Sequence, residues 1–470
     1  MSLPVASKLT LMLSVLHRLE EMRRREQWPR PRIMAYQQAS LRRLRDHAYM
    51  RSPFYQKFHR GLFDCPLSEL PVLTKAMMME HFDEIVTDRQ VRLEDVRAHV
   101  HSSDDNARFL NRYRVAATSG SSGQPGFFLY DDEEWTSILA SFARGQEWAG
   151  QRLSLTRRRR MASVASISPW HVSSQVAQSA KSWWIPAIRL AASEPLPDIV
   201  RQLNGWQPDV LVAYASMSRI LAEEQLAGRL HIQPEFVYTS SEVLTAETRR
   251  RVKEAWGREP FNEYGATETA NIAAERSDCR RLHVYEDMVI LEAVDEQYRP
   301  VPPGEYGAKV LVTSLFSRTQ PLIRYEINDS VRLVKEECPS GRSFTVLESI
   351  QGRVEDILHL PACKGGRVAV QPLVFNRVMD VAPVSGWQVV QEEDDSLTVL
   401  LSGLRNDLVD QTLIDALTGS LSDQGAAVPG IRVRRVEAIP KAPSGKAPLI
   451  KARRTLSSEN MPVNGSGGSA

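Results

Sequence analysis

The chain has 470 residues, with 59 Lys or Arg against 57 Asp or Glu and a formal charge of +2. That balance gives no long-range pull toward nucleic acid or an anionic membrane, and the length exceeds one ordinary core, so two or more domains are expected. Four cysteines, Cys65, Cys279, Cys338 and Cys363, lie far apart with no C-x-x-C pair, which argues against a disulfide framework or zinc knuckle and fits a reducing cytoplasm.

In chain order, the apolar run LTLMLSVL at 9–16 is too short to span a bilayer and lacks a small-residue cleavage site after it. It reads as an amphipathic helix docked on the body. The stretch ATSGSSGQPG at 117–126 is a candidate phosphate loop, because glycine removes the Cβ that blocks approach and leaves N–H groups as donors. Gln124 follows Gly123 where a Walker loop needs lysine, so this is not an ordinary P-loop NTPase. The run Arg157 to Arg160 reads as a solvated edge, with a phosphate contact as the lesser option.

From Pro208 strand and helix signals alternate. DVLVAY (209–214) is a buried-strand run, and SMSRILAEEQLAG (216–228) predicts a helix opened by a Ser cap and closed by Gly228. The plan repeats with a strand over 236–240, a cap at Thr245, a helix over 246–256 and Gly257 past its end. MVILEAV, AKVLVTSL and VRLVKEE then read as short strands split by Pro/Gly turns. Beyond Gly352, DSLTVLLSGL, a helical pattern near 407–420 and IRVRRVEAI predict a small α+β domain. The expected fold class is therefore α/β: a large body of several subdomains with a β-rich subregion over 1–352, a small α+β domain over 353–455, and a disordered tail over 456–470.

Five stretches occur in an order that resembles the adenylate-forming superfamily, the acyl-CoA synthetases and their relatives, most closely the phenylacetate-CoA ligase-like branch. TSGSSGQP looks like that family's T-S-G-[TS]-[TS]-G-x-P phosphate loop, with Gln124 where lysine is commonest. NEYGATE (262–268) resembles N-x-Y-G-x-T-E, and IRYEINDSV resembles the segment ending in a ribose-binding aspartate. QGRVEDIL is similar to the G-R-x-[DE]-D hinge, and PKAPSGKAPLIK resembles the C-terminal catalytic-lysine loop. SPFYQ (52–56), LPVLTK (70–75) and LHVYEDMVILE also look like the phenylacetate-ligase branch.

The resemblance implies a carboxylic acid made reactive as an acyl-adenylate. A carboxylate is a poor electrophile, and attack on the α-phosphorus of ATP gives it AMP as a leaving group. The protein's task is donors, cations and alignment. Thr118, Ser119, Gly120, Ser121, Ser122 and Gly123 would hold the β- and γ-phosphates. Glu268 would ligate Mg²⁺, with Thr267 on the α-phosphate. The nucleotide-binding set extends to Ser241, Glu242, Glu263, Tyr264 and Gly265, with Tyr264 against adenine, to Asp329 on both ribose hydroxyls and to Arg353. Lys446, in PSGK, would bridge the carboxylate and α-phosphate. The small domain is then expected to rotate about Glu355, where aspartate is common, and to admit the thiol of CoA.

Trp170, His171 and Tyr214 are possible walls of the acyl pocket, although such residues are more often ordinary core. Some relatives carry zinc near the position of Cys279-x-x-x-His283. Two ligands do not make a tetrahedral site, Glu275 and Glu286 are the possible additions, and no metal is expected there. The leading function is an AMP-forming carboxylate-CoA ligase for an aryl or arylacetic acid, using ATP, Mg²⁺ and CoA in the cytoplasm, with no nucleic-acid or membrane partner. The resemblance is compatible with a homodimer and does not fix the oligomeric state. Competing readings hand the acyl group to an amine or a carrier-protein thiol, transfer AMP to a hydroxyl, or keep only a non-catalytic ATP-binding module. The intact set Glu268, Asp329 and Lys446 argues against the last.

Overall fold

A computed structural model describes residues 5–452 apart from 103–106, 119–124, 152–156, 181–184, 335–337, 339, 354–356, 371, 380–381, 383, 405–409, 429 and 443–445. The expected tail, 456–470, lies outside the described residues. The chain forms two compact units, one of Met1–Val354 with Ala438–Pro448 and one of Glu355–Glu437 with Leu449–Ala470.

The first unit is built on a nine-stranded sheet. Its order is Asp329–Val334, Val346–Arg353, Leu282–Val284, Ala270–Glu275, Phe261–Ala266, Phe236–Ser240, Val210–Tyr214, Met161–Ala165 and Ala187–Ala191. The last five strands run parallel, joined by helices that include Leu196–Trp206, Ala215–Leu226 and Ala246–Trp256. Such crossovers bury both faces of a parallel sheet, so its strands read as continuous apolar runs. Leu211, Ala213, Met217, Leu221, Val237 and Val252 form one shared core there. Full burial of each such Leu or Val contributes roughly 1.5–3 kcal/mol. The expected β-rich subregion is a three-stranded antiparallel sheet of Val289–Val294, Lys309–Ser314 and Tyr325–Ile327.

Local signals account for one helix and not for another. Thr245 caps Ala246–Trp256 by accepting from the Thr248 N–H, and Gly257 ends it at φ +70°, a left-handed backbone that glycine adopts without strain. The Ser cap expected at 216 is absent. The helix starts at Ala215 behind Tyr214, which makes no side-chain cap, and a distant carboxylate, Glu242, accepts the Ser216 N–H instead at 2.8 Å.

The N-terminal helix, Val5–Arg25, docks differently from expectation. Its second half buries Leu19 and Met22, and Arg18 and Arg23 pair with Glu133 and Glu147 of the helix Asp132–Trp148. Leu9 and Leu13 of the apolar run remain exposed. No helix among the described residues is long and apolar enough to cross a membrane.

The second unit packs helices Pro372–Met379 and Asp410–Asp423 with a four-stranded sheet, ordered Ile431–Arg435, Leu397–Leu404, Val384–Gln391 and Ile450–Lys451. Trp387, Phe375, Leu401 and Leu417 fill its core.

Candidate nucleotide and acid-activation site

The hairpin Arg114–Ala117 and Phe127–Tyr130 carries the serine-glycine turn at its tip. Residues 119–124, and with them the expected Ser119, Gly120, Ser121, Ser122 and Gly123, lie outside the described residues. The base of the turn is tightly closed. The Thr118 N–H donates to the Gly126 carbonyl at 3.0 Å, and the Gly126 N–H returns a bond to Thr118 Oγ1 at 2.8 Å. Lys75 also donates to Thr118 Oγ1, at 3.4 Å.

Sequence reasoning missed Lys75, having used LPVLTK only as a mark of resemblance. Its placement follows from tertiary pairing. Leu73 exchanges backbone bonds with Arg324 and Glu326, and Thr74 caps the short helix that Lys75 opens. A cation thereby arrives at a phosphate-loop candidate that has glutamine at its usual lysine position.

The strand Phe261–Ala266 turns through Thr267 and Glu268 into Ala270–Glu275. Gly265 is required there, since a Cβ on it would stand 2.6 Å from the Ala270 carbonyl oxygen. Two tyrosines fix the turn. Tyr130 donates to the Thr267 carbonyl at 2.6 Å, and Tyr325 reaches a Glu268 carboxylate oxygen at 3.5 Å. Tyr264 donates to Asp329 Oδ2 at 2.8 Å, so the residue expected against adenine also orients the residue expected on ribose. Asp329 stands directly opposite Arg353 in the strand register. The Arg353 side chain and the hinge candidate Glu355 lie outside the described residues.

Side chains alternate across a strand, so Asn262 shares the face of Tyr264 whereas Glu263 takes the other. Glu263, expected among the nucleotide-binding residues, is buried against the helix Asp132–Trp148, where a Cβ on Gly145 would meet its Oε1 at 2.7 Å. On the Tyr264 side, a cavity of about 240 Å³ is lined by Val243, Leu244, Asn262, Arg281, Ser349 and Ile350, among others.

Burial pushes the Glu263 carboxyl up to about 7, with Asn271 offsetting part of the effect. An unfolded glutamate loses its proton near 4.3 and the folded one near 7. The burial of the charge therefore costs nothing below the unfolded value and reaches its full cost, about 4 kcal/mol, above pH 7. Glu263→Gln is expected to raise the melting temperature at pH 8 and to leave it nearly unchanged at pH 4, which thermal melts at the two pH values will check.

The segment Ala438–Pro448 is part of the first unit. Lys441 donates to the Ala192 carbonyl at 2.8 Å, and the Ala442 N–H donates to the Lys446 carbonyl at 2.7 Å. The Ala447 N–H donates to Glu242 Oε1 at 3.2 Å. These bonds leave the Lys446 ammonium over the Tyr214 ring, 5.4 Å from its centroid. Tyr214 is buried, and its hydroxyl accepts the Ser166 N–H at 2.9 Å. Burial, assisted by Lys446, holds the His171 imidazole below its ordinary range, so it is neutral at pH 7. Glu242, expected on the nucleotide, accepts from Ser216 and Ala447.

No family model matches the sequence. A phenylacetate-coenzyme A ligase of Thermus thermophilus is 25% identical over 391 residues, covering 79% of this chain and 81% of that one. A 2-hydroxyisobutyryl-CoA ligase, solved in the postadenylation state with 2-HIB-AMP, superposes with a TM-score of 0.72 at 18% identity over 92% of both chains. Its open conformation with 2-HIB-AMP and CoA gives 0.59 at 18% identity, covering 92% of this chain and 94% of that one. The chain thus shares the fold of these CoA ligases, and its sequence is similar to that of a phenylacetate-coenzyme A ligase.

The structure gathers the expected residues into two neighbourhoods within the first unit. Tyr264 bonds Asp329 while Tyr130 and Tyr325 hold Thr267 and Glu268, and Tyr214, His171 and Glu242 lie about Lys446. Trp170 lies apart from the second group in its ring contacts, packing edge-on to His99 at 5.6 Å. Arg157 and Arg159 pair with Glu235 at the surface.

The cysteine-histidine pair needs a correction, because a third donor joins it. The ligand atoms of Cys279, His283 and Cys338 all lie within 4.8 Å of one another. Neither expected addition takes part: Glu275 bonds Arg249 and Arg280, and Glu286 bonds Arg30 and Thr345. Two thiols and an imidazole suit Zn²⁺. Burial holds His283 at about 4, keeping it neutral and able to ligate at pH 7, and the Ser340 hydroxyl lies 3.0 Å from Cys338 Sγ. A metal held by these three residues would staple the strand Leu282–Val284 to the segment at Cys338.

Proposed function

We propose that this protein is an adenylate-forming ligase that activates a carboxylic acid with ATP and passes the acyl group to CoA. The substrate class favoured is an aryl or arylacetic acid. The observation that carries the reading is the Lys446 ammonium held over Tyr214 by bonds at both ends of its loop, within the unit that contains Glu268 and Asp329.

Each residue then has a chemical task. Thr118 and the adjoining turn, with Lys75, bind the β- and γ-phosphates. Asn262 and the neighbouring cavity take the adenine, Asp329 accepts from the ribose hydroxyls, and Arg353 contacts ribose or phosphate. Glu268, oriented by Tyr325, holds Mg²⁺, which supplies charge neutralisation on the phosphates when bound. A carboxylate oxygen of the acid forms a bond to the α-phosphorus as the bond to the bridging oxygen of pyrophosphate breaks. Lys446 lies against the oxygens on which charge accumulates. In the second step the thiol gives its proton to solvent, its sulfur bonds to the acyl carbon, and the bond from that carbon to the phosphate oxygen breaks as AMP leaves. Neutral His171 and Tyr214 are offered as walls for the acid. The relatives support the two-step scheme: one is named a phenylacetate-coenzyme A ligase, and the other has been solved with an acyl-AMP and CoA.

The test is the mass of the product formed from ATP, Mg²⁺, CoA and a library of carboxylic acids. Acyl-CoA, AMP and pyrophosphate in equal amounts are the expected result. ADP and phosphate would end the reading. Pyrophosphate formed without CoA dependence would point to another acceptor, an amine or carrier-protein thiol for the acyl group or a hydroxyl for AMP itself.

A further inference from the structure

Glu242 is placed by an unusual backbone. The residue before it, Ser241, has φ +66°, a left-handed conformation that costs a non-glycine residue about 1 kcal/mol or more and persists only where the surroundings impose it. This turn follows the strand Phe236–Ser240 and aims the Glu242 carboxylate at two backbone donors. Oε2 accepts from Ser216, in the first turn of the helix Ala215–Leu226, at 2.8 Å. Oε1 accepts from Ala447, the residue after Lys446, at 3.2 Å. Burial pushes this carboxyl up, while its bonds with Ser216 and the nearby Lys446 pull it back down.

We propose that Glu242 is a positioning residue that latches the lysine loop in its acid-activating pose. The proposal rests on the acid-activation reading above and concerns the loop rather than the nucleotide. The two oxygens divide the work. The bond from Ser216 belongs to a helix start that lacks a side-chain cap of its own, and the positive end of that helix holds the carboxylate in place. The bond to Ala447 is the part that opens. When the loop withdraws, the carboxylate keeps Ser216 as a partner, so release does not strand a bare charge. Lys441 on the Ala192 carbonyl anchors the other end of the segment. Its donor is a flexible ammonium, so the register of Lys446 is set chiefly by the adjacent amide on Glu242.

Hydrogen exchange of the full chain without substrates, resolved to the Ala447 amide, tests the latch directly. Glu242→Ala is expected to speed exchange there about tenfold, and the near-isosteric Glu242→Gln to have a smaller effect, because an amide can accept from only one of the two N–H groups. In separate half-reactions, Glu242→Ala is expected to slow acyl-adenylate formation about tenfold through kcat at unchanged KM for ATP. Thioester formation from supplied acyl-adenylate should keep the wild-type rate. Unchanged exchange at Ala447 in both variants would overturn the latch. So would a raised KM for ATP with unchanged exchange, which would make Glu242 a nucleotide ligand. If wild-type protein activates no acid while exchange at Ala447 still responds, the enzyme reading fails and the contact stands.

Discussion

Replacing Lys446 by alanine is expected to slow acyl-adenylate formation at least about 100-fold, while thioester formation from supplied acyl-adenylate stays near the wild-type rate. A 100-fold loss corresponds to about 2.7 kcal/mol of transition-state stabilisation. A cation that meets developing phosphate charge in a partly desolvated site provides an effect of that size. The aromatic face of Tyr214 beneath the ammonium helps to hold it in place. The second half-reaction has no pyrophosphate to expel and needs the loop out of the way, so it has no use for this lysine. Pyrophosphate exchange and single-turnover thioester formation measure the two steps separately. Equal loss in both would show that Lys446 supports the fold rather than the first step.

Lys75→Met is expected to lower kcat/KM for ATP between about 10- and 100-fold, the range of one lost charge-assisted bond to phosphate. Thioester formation from acyl-adenylate, which carries no β- or γ-phosphate, should be unaffected. The effect is expected because Lys75 reaches the Thr118 hydroxyl at the base of the serine-glycine turn, where the sequence offers Gln124 in place of a cation. Adding Gln124→Lys to Lys75→Met should recover much of the loss, and the double variant measured against both singles gives the coupling. No recovery, together with a lowered melting temperature for Lys75→Met alone, would make Lys75 a packing residue.

Much of the fold was legible because its signals were local. The strands at 210–214 and 236–240, the Thr245 cap and the Gly257 terminus stand where apolar runs and cap chemistry put them. What was not legible shares a different cause. Ser216 looked like a cap, yet its amide is satisfied by a carboxylate 26 positions away. Glu263 and Asn262 could not be sorted between faces, because both faces of a central strand are covered and period-two alternation leaves no trace in composition. Lys75 and Cys338 reach their neighbourhoods through pairings with distant strands, which spacing along the chain does not encode. Motif order picked out residues that the fold brings close together, Tyr264 with Asp329 and Thr267 with Glu268. The partners that orient them, Tyr130 and Tyr325, became visible only once the chain was folded.

The polypeptide passes between its compact units three times, at Val354–Glu355, Glu437–Ala438 and Pro448–Leu449. A fragment ending at Val354 would keep Lys75, Glu268 and Asp329 and have no Lys446. A fragment beginning at Glu355 would own the lysine and lack Tyr214, Ala192 and Glu242, against which it rests. Severed there, the molecule becomes two silent halves, and catalysis becomes a report of their reunion.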